Sequence, residues 1–158
     1  MNRGIMNKKR CGFSLIELVI VVVIIGIIGA IAIPRLSRGA EGANDSALTG
    51  DLAVMRNALD LYATEHGGDF PTVAAFVAQL TTYTDADGAT SATKTGEFIF
   101  GPYIRNIPTL KVGDEKGNST VGAVAGTGVG WIYDASAGTI RPNSGSAADA
   151  SGKPYQTY

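Results

Sequence analysis

A run of 21 residues, 13–33, contains a single charged residue, Glu17, and constrains the fold more than any other feature of the sequence. A helix of this length measures roughly 31 Å at about 1.5 Å per residue, which is enough to cross the hydrocarbon core of a bilayer. Twelve of these residues are Val or Ile, which are modest helix formers in water. In lipid the backbone has to satisfy its own hydrogen bonds, so the run predicts a transmembrane helix.

Charge is distributed unevenly around this run. The first 12 residues hold four bases and no acid, whereas the remainder carries five more acids than bases. The positive excess before the run predicts a cytoplasmic N-terminus, with the residues after Pro34 on the other side of the membrane. We expect no nucleic-acid partner, because no basic face is visible beyond the leader. Because Cys11 is the only cysteine, residues 12–158 can form no internal disulfide.

Three general explanations of the run compete. A secretory signal is disfavoured: Ala30-Ile31-Ala32 imitates a cleavage site, but the run exceeds the usual apolar core of about 7–15 residues and contains Glu17. A lipoprotein signal is disfavoured because Lys9-Arg10 precedes Cys11, where small and apolar residues are expected. An uncleaved membrane anchor is the simplest alternative.

A fourth explanation accounts for both the basic leader and the acidic residue. The segment Lys8-Lys9-Arg10-Cys11-Gly12-Phe13-Ser14-Leu15-Ile16-Glu17 resembles the class III signal of type IV pilins and pseudopilins. The resemblance implies that a prepilin peptidase cuts between Gly12 and Phe13 and methylates the new α-amine of Phe13. It also implies that the apolar segment is retained after cleavage.

Glu17 needs a physical reason, because a carboxylate at the centre of a bilayer costs about 2.5–3.5 kcal/mol on insertion scales. One possibility is that it reaches the headgroups, since it lies only four residues from the new N-terminus. The resemblance implies an assembly role instead, in which Glu17 neutralises the N-terminal amine of an adjacent subunit. In a filament core of low dielectric constant this pairing would set the axial register.

Beyond the run the pattern predicts a helix in two halves. Pro34 is expected to bend the helix, and glycines at positions 39, 42 and 50 to leave residues 34–46 partly melted. Further on, apolar residues recur at helical spacing and predict an amphipathic helix that docks on a small domain. The stripe consists of Leu48, Leu52, Met55, Leu59 and Tyr62. Gly67, Gly68 and Pro71 end this half of the helix.

The remaining chain predicts a small domain with long loops. Thr72 is expected to cap a short helix over residues 73–80, and residues 130–134 and 138–141 to form two strands around a turn. Residues 97–104 fit an edge strand or an extended loop. The predicted fold is therefore α+β, with a long N-terminal helix packed on a small antiparallel β-sheet. The predicted divisions are a leader (1–12), a transmembrane and assembly helix (13–33), its exported half (34–66), a globular part (67–142) and a flexible tail (143–158).

The resemblance extends weakly into this domain. Residues 101–108, Gly-Pro-Tyr-Ile-Arg-Asn-Ile-Pro, are similar to the middle of major pseudopilins of type II secretion systems. Those proteins usually continue with an Asp-Pro-Trp-Gly-like turn and an acidic calcium loop, whereas Thr109-Leu110-Lys111-Val112-Gly113-Asp114 follows here. The C-terminal disulfide loop of many type IV pilins cannot form in a chain without further cysteines.

Candidate ligand sites in the domain are few. Asp85 and Asp87, and separately Asp114 and Glu115, are weak calcium candidates, since neither loop supplies the six to eight oxygens that calcium takes. His66 is expected at the surface near the end of the helix, where a cation favours the dipole. The glycine-rich residues 126–130 precede a strand and not a helix, so no nucleotide site is expected. We therefore expect no cofactor and no enzymatic activity.

The sequence predicts a structural subunit. The resemblance implies a homo-oligomeric helical filament whose partners are the prepilin peptidase, an inner-membrane assembly platform and minor pseudopilins. It also implies a single-pass inner-membrane precursor with a periplasmic C-terminal domain, and then a periplasmic or extracellular filament. A type II secretion pseudopilin is preferred. The alternatives are a type IV pilin for adhesion, motility or DNA uptake, and a membrane-anchored binding domain that does not polymerise.

Overall fold

A computed structural model describes residues 12–158, apart from the side chains at positions 34, 37 and 38. The predicted leader lies outside the described residues except for Gly12. Helix α1 spans Leu15–Glu65 and helix α2 spans Phe76–Thr81. The short strands are β1 (Tyr83–Thr84), β2 (Thr90–Ser91), β3 (Val121–Gly122), β4 (Trp131–Asp134) and β5 (Thr139–Pro142), followed by a 3-10 turn at Tyr155–Thr157. The chain divides into two compact units between Gly39 and Ala40.

Helix α1 is continuous across residues 34–46, so the prediction of a partly melted segment is wrong. Two glycines in this stretch each weaken a helix by about 1 kcal/mol relative to alanine. The strong helix formers Ala40, Glu41 and Ala43 lie beside these glycines and offset part of that cost. The predicted bend at Pro34 stays a prediction.

The C-terminal half of α1 supplies one wall of a hydrophobic core. All five residues of its apolar stripe are buried, which confirms the predicted docking face. They pack with apolar residues from the rest of the domain, namely Phe76, Leu80, Leu110, Trp131, Tyr133 and Ile140. Each fully buried side chain of this size contributes about 1.5–3 kcal/mol, so this stripe fixes the helix to the domain.

The sheet confirms the two predicted strands but is mixed and not purely antiparallel. Strands β4 and β5 pair antiparallel, with Trp131 opposite Pro142 and Asp134 opposite Thr139. Strand β3 pairs with β4 in parallel and forms one edge of the order β3-β4-β5. Strand β3 has only two residues, too few to show a period in the sequence, so neither this strand nor its parallel direction was predicted. Strands β1 and β2 form a separate antiparallel pair.

Of two local predictions, the one for residues 97–104 agrees with the structure and the one for Thr72 needs adjustment. Residues 97–104 form an extended loop, held at Phe100 by hydrogen bonds of 3.1 Å in each direction with Thr84. The Thr72 hydroxyl accepts from Ala75 N–H at 3.2 Å, but α2 begins only at Phe76. Thr72 therefore stabilises the turn before the helix and does not cap the helix itself.

The last 16 residues, predicted to be a flexible tail, are folded onto the domain. Asn143, Ser144 and Tyr155 are buried. The Tyr155 hydroxyl donates to the Asp45 carboxylate of α1. Arg56, also on α1, donates to the Tyr158 carbonyl oxygen at 2.6 Å. The segment lacks periodicity because turns and side-chain hydrogen bonds hold it, which is why pattern analysis read it as a tail.

The buried tyrosines predict a loss of stability at alkaline pH. Burial, followed by the hydrogen bond to Glu65, raises the pKa of Tyr103; burial likewise raises the pKa values of Tyr62, Tyr133 and Tyr155. An unfolded tyrosine loses its proton near pH 10, while these folded ones retain it. The unfolded state then binds fewer protons, so the free energy of unfolding is maintained below about pH 10 and falls above it.

Thermal unfolding of the detergent-solubilised chain between about pH 8 and 11.5 measures this effect. Tyr103→Phe is expected to give a shallower decline in melting temperature above pH 10, because one of the responsible hydroxyls is gone. An unchanged alkaline slope in this variant would contradict the assignment of the effect to Tyr103.

Candidate functional site

The described part of the N-terminal unit carries large apolar side chains that are all exposed. The helical segment Leu15–Ile33 is long and apolar enough to cross a membrane, and none of it is buried against other described residues. Its Leu, Ile and Val side chains are exposed on every side of the helix. A helix that is apolar all round belongs in lipid or among other helices, so this segment fits membrane anchoring.

Glu17 lies in the first turn of this helix and closes its N-terminal end. One oxygen of its carboxylate, Oε2, accepts a hydrogen bond from the Ser14 backbone N–H at 2.9 Å. The spacing Ser14-x-x-Glu17 is that of a capping box, in which the acid satisfies a backbone donor that the helix leaves free. Negative charge at this position also suits the helix dipole. Sequence reasoning missed this local role, although the spacing itself was a sufficient signal.

The Gly12–Phe13 bond lies before the start of the helix. Neither residue belongs to a helix or strand, and Gly12 is exposed. Phe13 is 86% exposed, and a Cβ added at Gly12 would meet no atom of residues 12–158 within 4 Å. The bond that the resemblance marks for cleavage is therefore accessible and not held in regular structure.

Comparison with protein families gives a match at this N-terminal segment. The family model described as the prokaryotic N-terminal methylation motif covers residues 7–33. The chain carries this methylation motif. Comparisons of the whole chain with curated proteins and with solved structures give no match.

The methylation motif contains the basic residues, the Gly-Phe junction and the glutamate that the resemblance singled out. It includes the bases at 8–10, Gly12, Phe13 and Glu17, and it ends at Ile33, directly before Pro34. The match is consistent with the type IV pilin-like family and does not separate pseudopilins from pilins. It leaves the folded unit beyond residue 39 outside its range.

The calcium candidates lie outside the methylation motif, in two loops of the domain. Asp85 Oδ1 accepts backbone N–H groups of Asp87 at 3.0 Å and Ala89 at 2.9 Å. Glu115 Oε2 accepts from Asn118 Nδ2 at 2.7 Å and from Gly128 N–H at 2.8 Å. Across residues 12–158 no three His, Cys, Asp or Glu side chains lie together in a way that would hold a metal. Asp85 and Glu115 therefore serve as hydrogen-bond acceptors that fix loop conformation.

His66 is buried, contrary to the expected surface position. Its exposed fraction is 6%, and Nδ1 lies 2.8 Å from the Tyr62 carbonyl oxygen. Its ring stacks on the Tyr62 ring, with 3.8 Å between ring centroids, and lies near Phe100. The reason is position: His66 follows Tyr62 by four residues and so continues the apolar stripe, where aromatic packing outweighs exposure at the helix end.

Proposed function

We propose that this chain is a structural subunit of a type IV pilus-like filament that is assembled from the inner membrane. One observation supports this above all: the methylation motif continues into an exposed apolar helix, which continues in turn into a folded domain. A cleaved secretory signal would lose the apolar segment. A plain anchor would use Glu17 to cap its helix but has no use for the Gly-Phe junction. A subunit that is processed and then packs through its N-terminal helix uses the junction, the apolar segment and Glu17.

The orientation follows from the charge distribution. Bases at positions 3, 8, 9 and 10 precede the apolar helix, so the N-terminus is cytoplasmic and the domain is periplasmic. The prepilin peptidase then meets the Gly12–Phe13 bond at the cytoplasmic face, where the leader ends. Cleavage leaves a mature chain that begins with Phe13 and carries a methylated α-amine. Only after this step is the amine free to pair with a carboxylate.

In the filament, the apolar helices pack against one another and Glu17 pairs with the α-amine of a neighbouring subunit. The carboxylate and the amine both lose their hydration when the subunits pack. The free energy of this step is favourable only when the two charges meet in good geometry. The pairing thus selects one axial offset between neighbours. In the unassembled chain Glu17 is already directed at the helix N-terminus, because it accepts from the Ser14 N–H.

Among filament types we favour a major pseudopilin of a type II secretion system, working with an inner-membrane assembly platform and minor pseudopilins. Support comes from the similarity of residues 101–108 to the middle of such proteins and from the absence of cysteine beyond residue 11. A surface type IV pilin is the second candidate, because the N-terminal chemistry is shared. Deletion of the gene in the native host separates the two: loss of secreted proteins favours the first, and loss of surface filaments favours the second.

The decisive experiment is mass spectrometry of the N-terminal peptide from chain isolated from the native host's membranes. The expected peptide begins at Phe13 and is about 14 Da heavier than the unmodified one, the mass of one added methylene. Gly12→Val is expected to block cleavage, since the resemblance places the cut after a glycine. Gly4→Val, the same change within the leader, serves as the matched control and should be processed normally.

Two results would contradict the proposal. A chain that retains residues 1–12 would identify a plain membrane anchor. A chain that begins near Ile33 would identify a secreted soluble protein.

A further inference from the structure

A groove runs between helix α2 and strand β3 on the folded domain. Its volume is about 510 Å³. Its lining includes the apolar residues Val73, Val77, Ile107 and Val121 and the charged residue Arg105. Val77 is 50% exposed, so this α2–β3 groove presents apolar surface that no described residue covers. The groove therefore combines apolar side chains with the polar residues Thr81, Asn106, Ser119 and Thr120, as concave binding sites commonly do.

The β3 side of the groove is a free strand edge. Strand β3 pairs with β4, and no strand within residues 12–158 pairs with its other side. Such an edge offers unpaired N–H and C=O groups, which an extended chain can satisfy by adding alongside. A helix is a poor occupant, because its backbone groups are already bonded internally. The exposed apolar residues Val54 and Leu61 of α1 are therefore unsuitable partners for this edge.

The charge of the groove further restricts which extended segment can bind there. Arg105 is exposed and is the only charged residue that lines the groove in the described part of the chain. The fitting occupant is thus an extended segment with an apolar side chain and a nearby carboxylate.

The chain itself presents such a segment at residues 96–99. Ile99 is 48% exposed, and Glu97 two positions earlier is exposed as well. Phe98 and Phe100 are half-buried, so exposed and half-buried side chains alternate over residues 97–100. The chain bends at Gly96 and Glu97, where the Thr95 N–H donates to the Phe98 carbonyl oxygen at 3.3 Å, and continues to the bridge between Phe100 and Thr84. Val124 is more exposed than Ile99, but it has no carboxylate within five residues on either side.

We propose that the α2–β3 groove of one chain binds residues 96–99 of a second copy, with Ile99 against Val77 and Ile107 and with Glu97 beside Arg105. The contact rests on the proposed filament function and adds an interface between folded domains to the one between N-terminal helices. Groove and segment are different surfaces, so the contact is heterologous and one copy can engage the next in succession. The apolar part of the contact supplies affinity, and the Glu97–Arg105 ion pair fixes the alignment of the bound segment along the groove.

Cysteine cross-linking in membranes of cells producing the full-length chain tests the contact. In a Cys11→Ser background the chain has no cysteine, so Ile99→Cys combined with Val77→Cys should give disulfide-linked dimers and a ladder of higher species. Ile99→Cys alone should remain monomeric. Val124→Cys combined with Val77→Cys is the matched control: position 124 is more exposed than position 99, and this pair is expected to give no ladder.

Charge reversal tests the pairing within the same assay. Glu97→Arg or Arg105→Glu alone should lower the cross-linked fraction at least about tenfold, because like charges then meet. The double variant Glu97→Arg/Arg105→Glu should restore it, whereas Lys94→Glu should leave it unchanged. The fluorescence of the buried Trp131 checks that each variant is folded.

The outcomes separate this contact from the proposed function. Absence of the ladder in a chain whose N-terminus is methylated Phe13 overturns the contact and leaves the filament function intact. The contact is also overturned if the double variant is folded but does not restore cross-linking. It is overturned as well if Val77→Cys cross-links to a different protein and no disulfide forms between two copies. A chain that retains its leader yet forms the charge-dependent ladder supports the contact and overturns the filament function.

Discussion

Glu17→Ala is expected to leave the chain in the membrane and correctly processed, but to reduce sedimentable filament at least about tenfold. Under the proposed function, the substitution leaves the α-amine of Phe13 in a neighbouring subunit without its counter-charge. Removing one member of a buried charge pair costs about 2–5 kcal/mol, largely because the other charge stays behind unpaired. The measurement is the ratio of filament in the sheared fraction to processed subunit in the membrane fraction.

Glu17→Gln distinguishes the charge from the local role of the side chain. A glutamine can still accept the Ser14 N–H hydrogen bond, which is 2.9 Å long with glutamate, but it carries no charge. If the charge matters, both variants lose assembly to a similar extent. Normal assembly of Glu17→Gln with failure of Glu17→Ala would show that Glu17 acts by capping the helix. Normal assembly of both would contradict any role in filament formation.

The N-terminal segment was predictable because its information is contiguous. A basic leader, a Gly-Phe junction, one carboxylate and an apolar run all lie within residues 7–33, the range that the methylation motif covers. The amphipathic stripe of α1 was predictable for a related reason, since helical spacing shows its buried face directly. Strands β4 and β5 were predictable as well, because they are two apolar runs that flank a turn.

The folded tail was not predictable, because its contacts join residues far apart in the chain. Tyr155 meets Asp45 across 110 positions and Tyr158 meets Arg56 across 102, and no local pattern encodes either pair. His66 shows a different limit: its sequence environment fits a helix-end cation, but its four-residue spacing from Tyr62 places it in an aromatic cluster. The α2–β3 groove likewise arises from elements that are distant in sequence.

Gly130→Ala is expected to cost about 3 kcal/mol of unfolding free energy, at the upper end of the usual range for overpacking. A Cβ at this position would overlap the backbone carbonyl oxygen of Asn118 and would lie 2.8 Å from its carbonyl carbon. That oxygen cannot move away freely, because it accepts from Leu110 N–H at 2.9 Å. Gly130 itself donates to Thr120 and accepts from Asn143, both at 2.9 Å, so it ties together the start of β4, the residue before β3 and the tail.

Gly126→Ala is the matched control, four residues earlier in the same loop. An added Cβ there meets only a methyl group of Val129 at 3.9 Å, an ordinary van der Waals distance. The free energy of unfolding should rise by no more than about 1 kcal/mol, because alanine restricts the unfolded chain.

Urea unfolding, followed by the fluorescence of Trp131, measures the free energy of unfolding of both variants. Trp131 is the single tryptophan and is fully buried. Equal midpoints for the two variants would contradict the close approach of Gly130 to Asn118. Unchanged cleavage at Gly12 in both variants is also expected, because the methylation motif ends at residue 33, well before this loop.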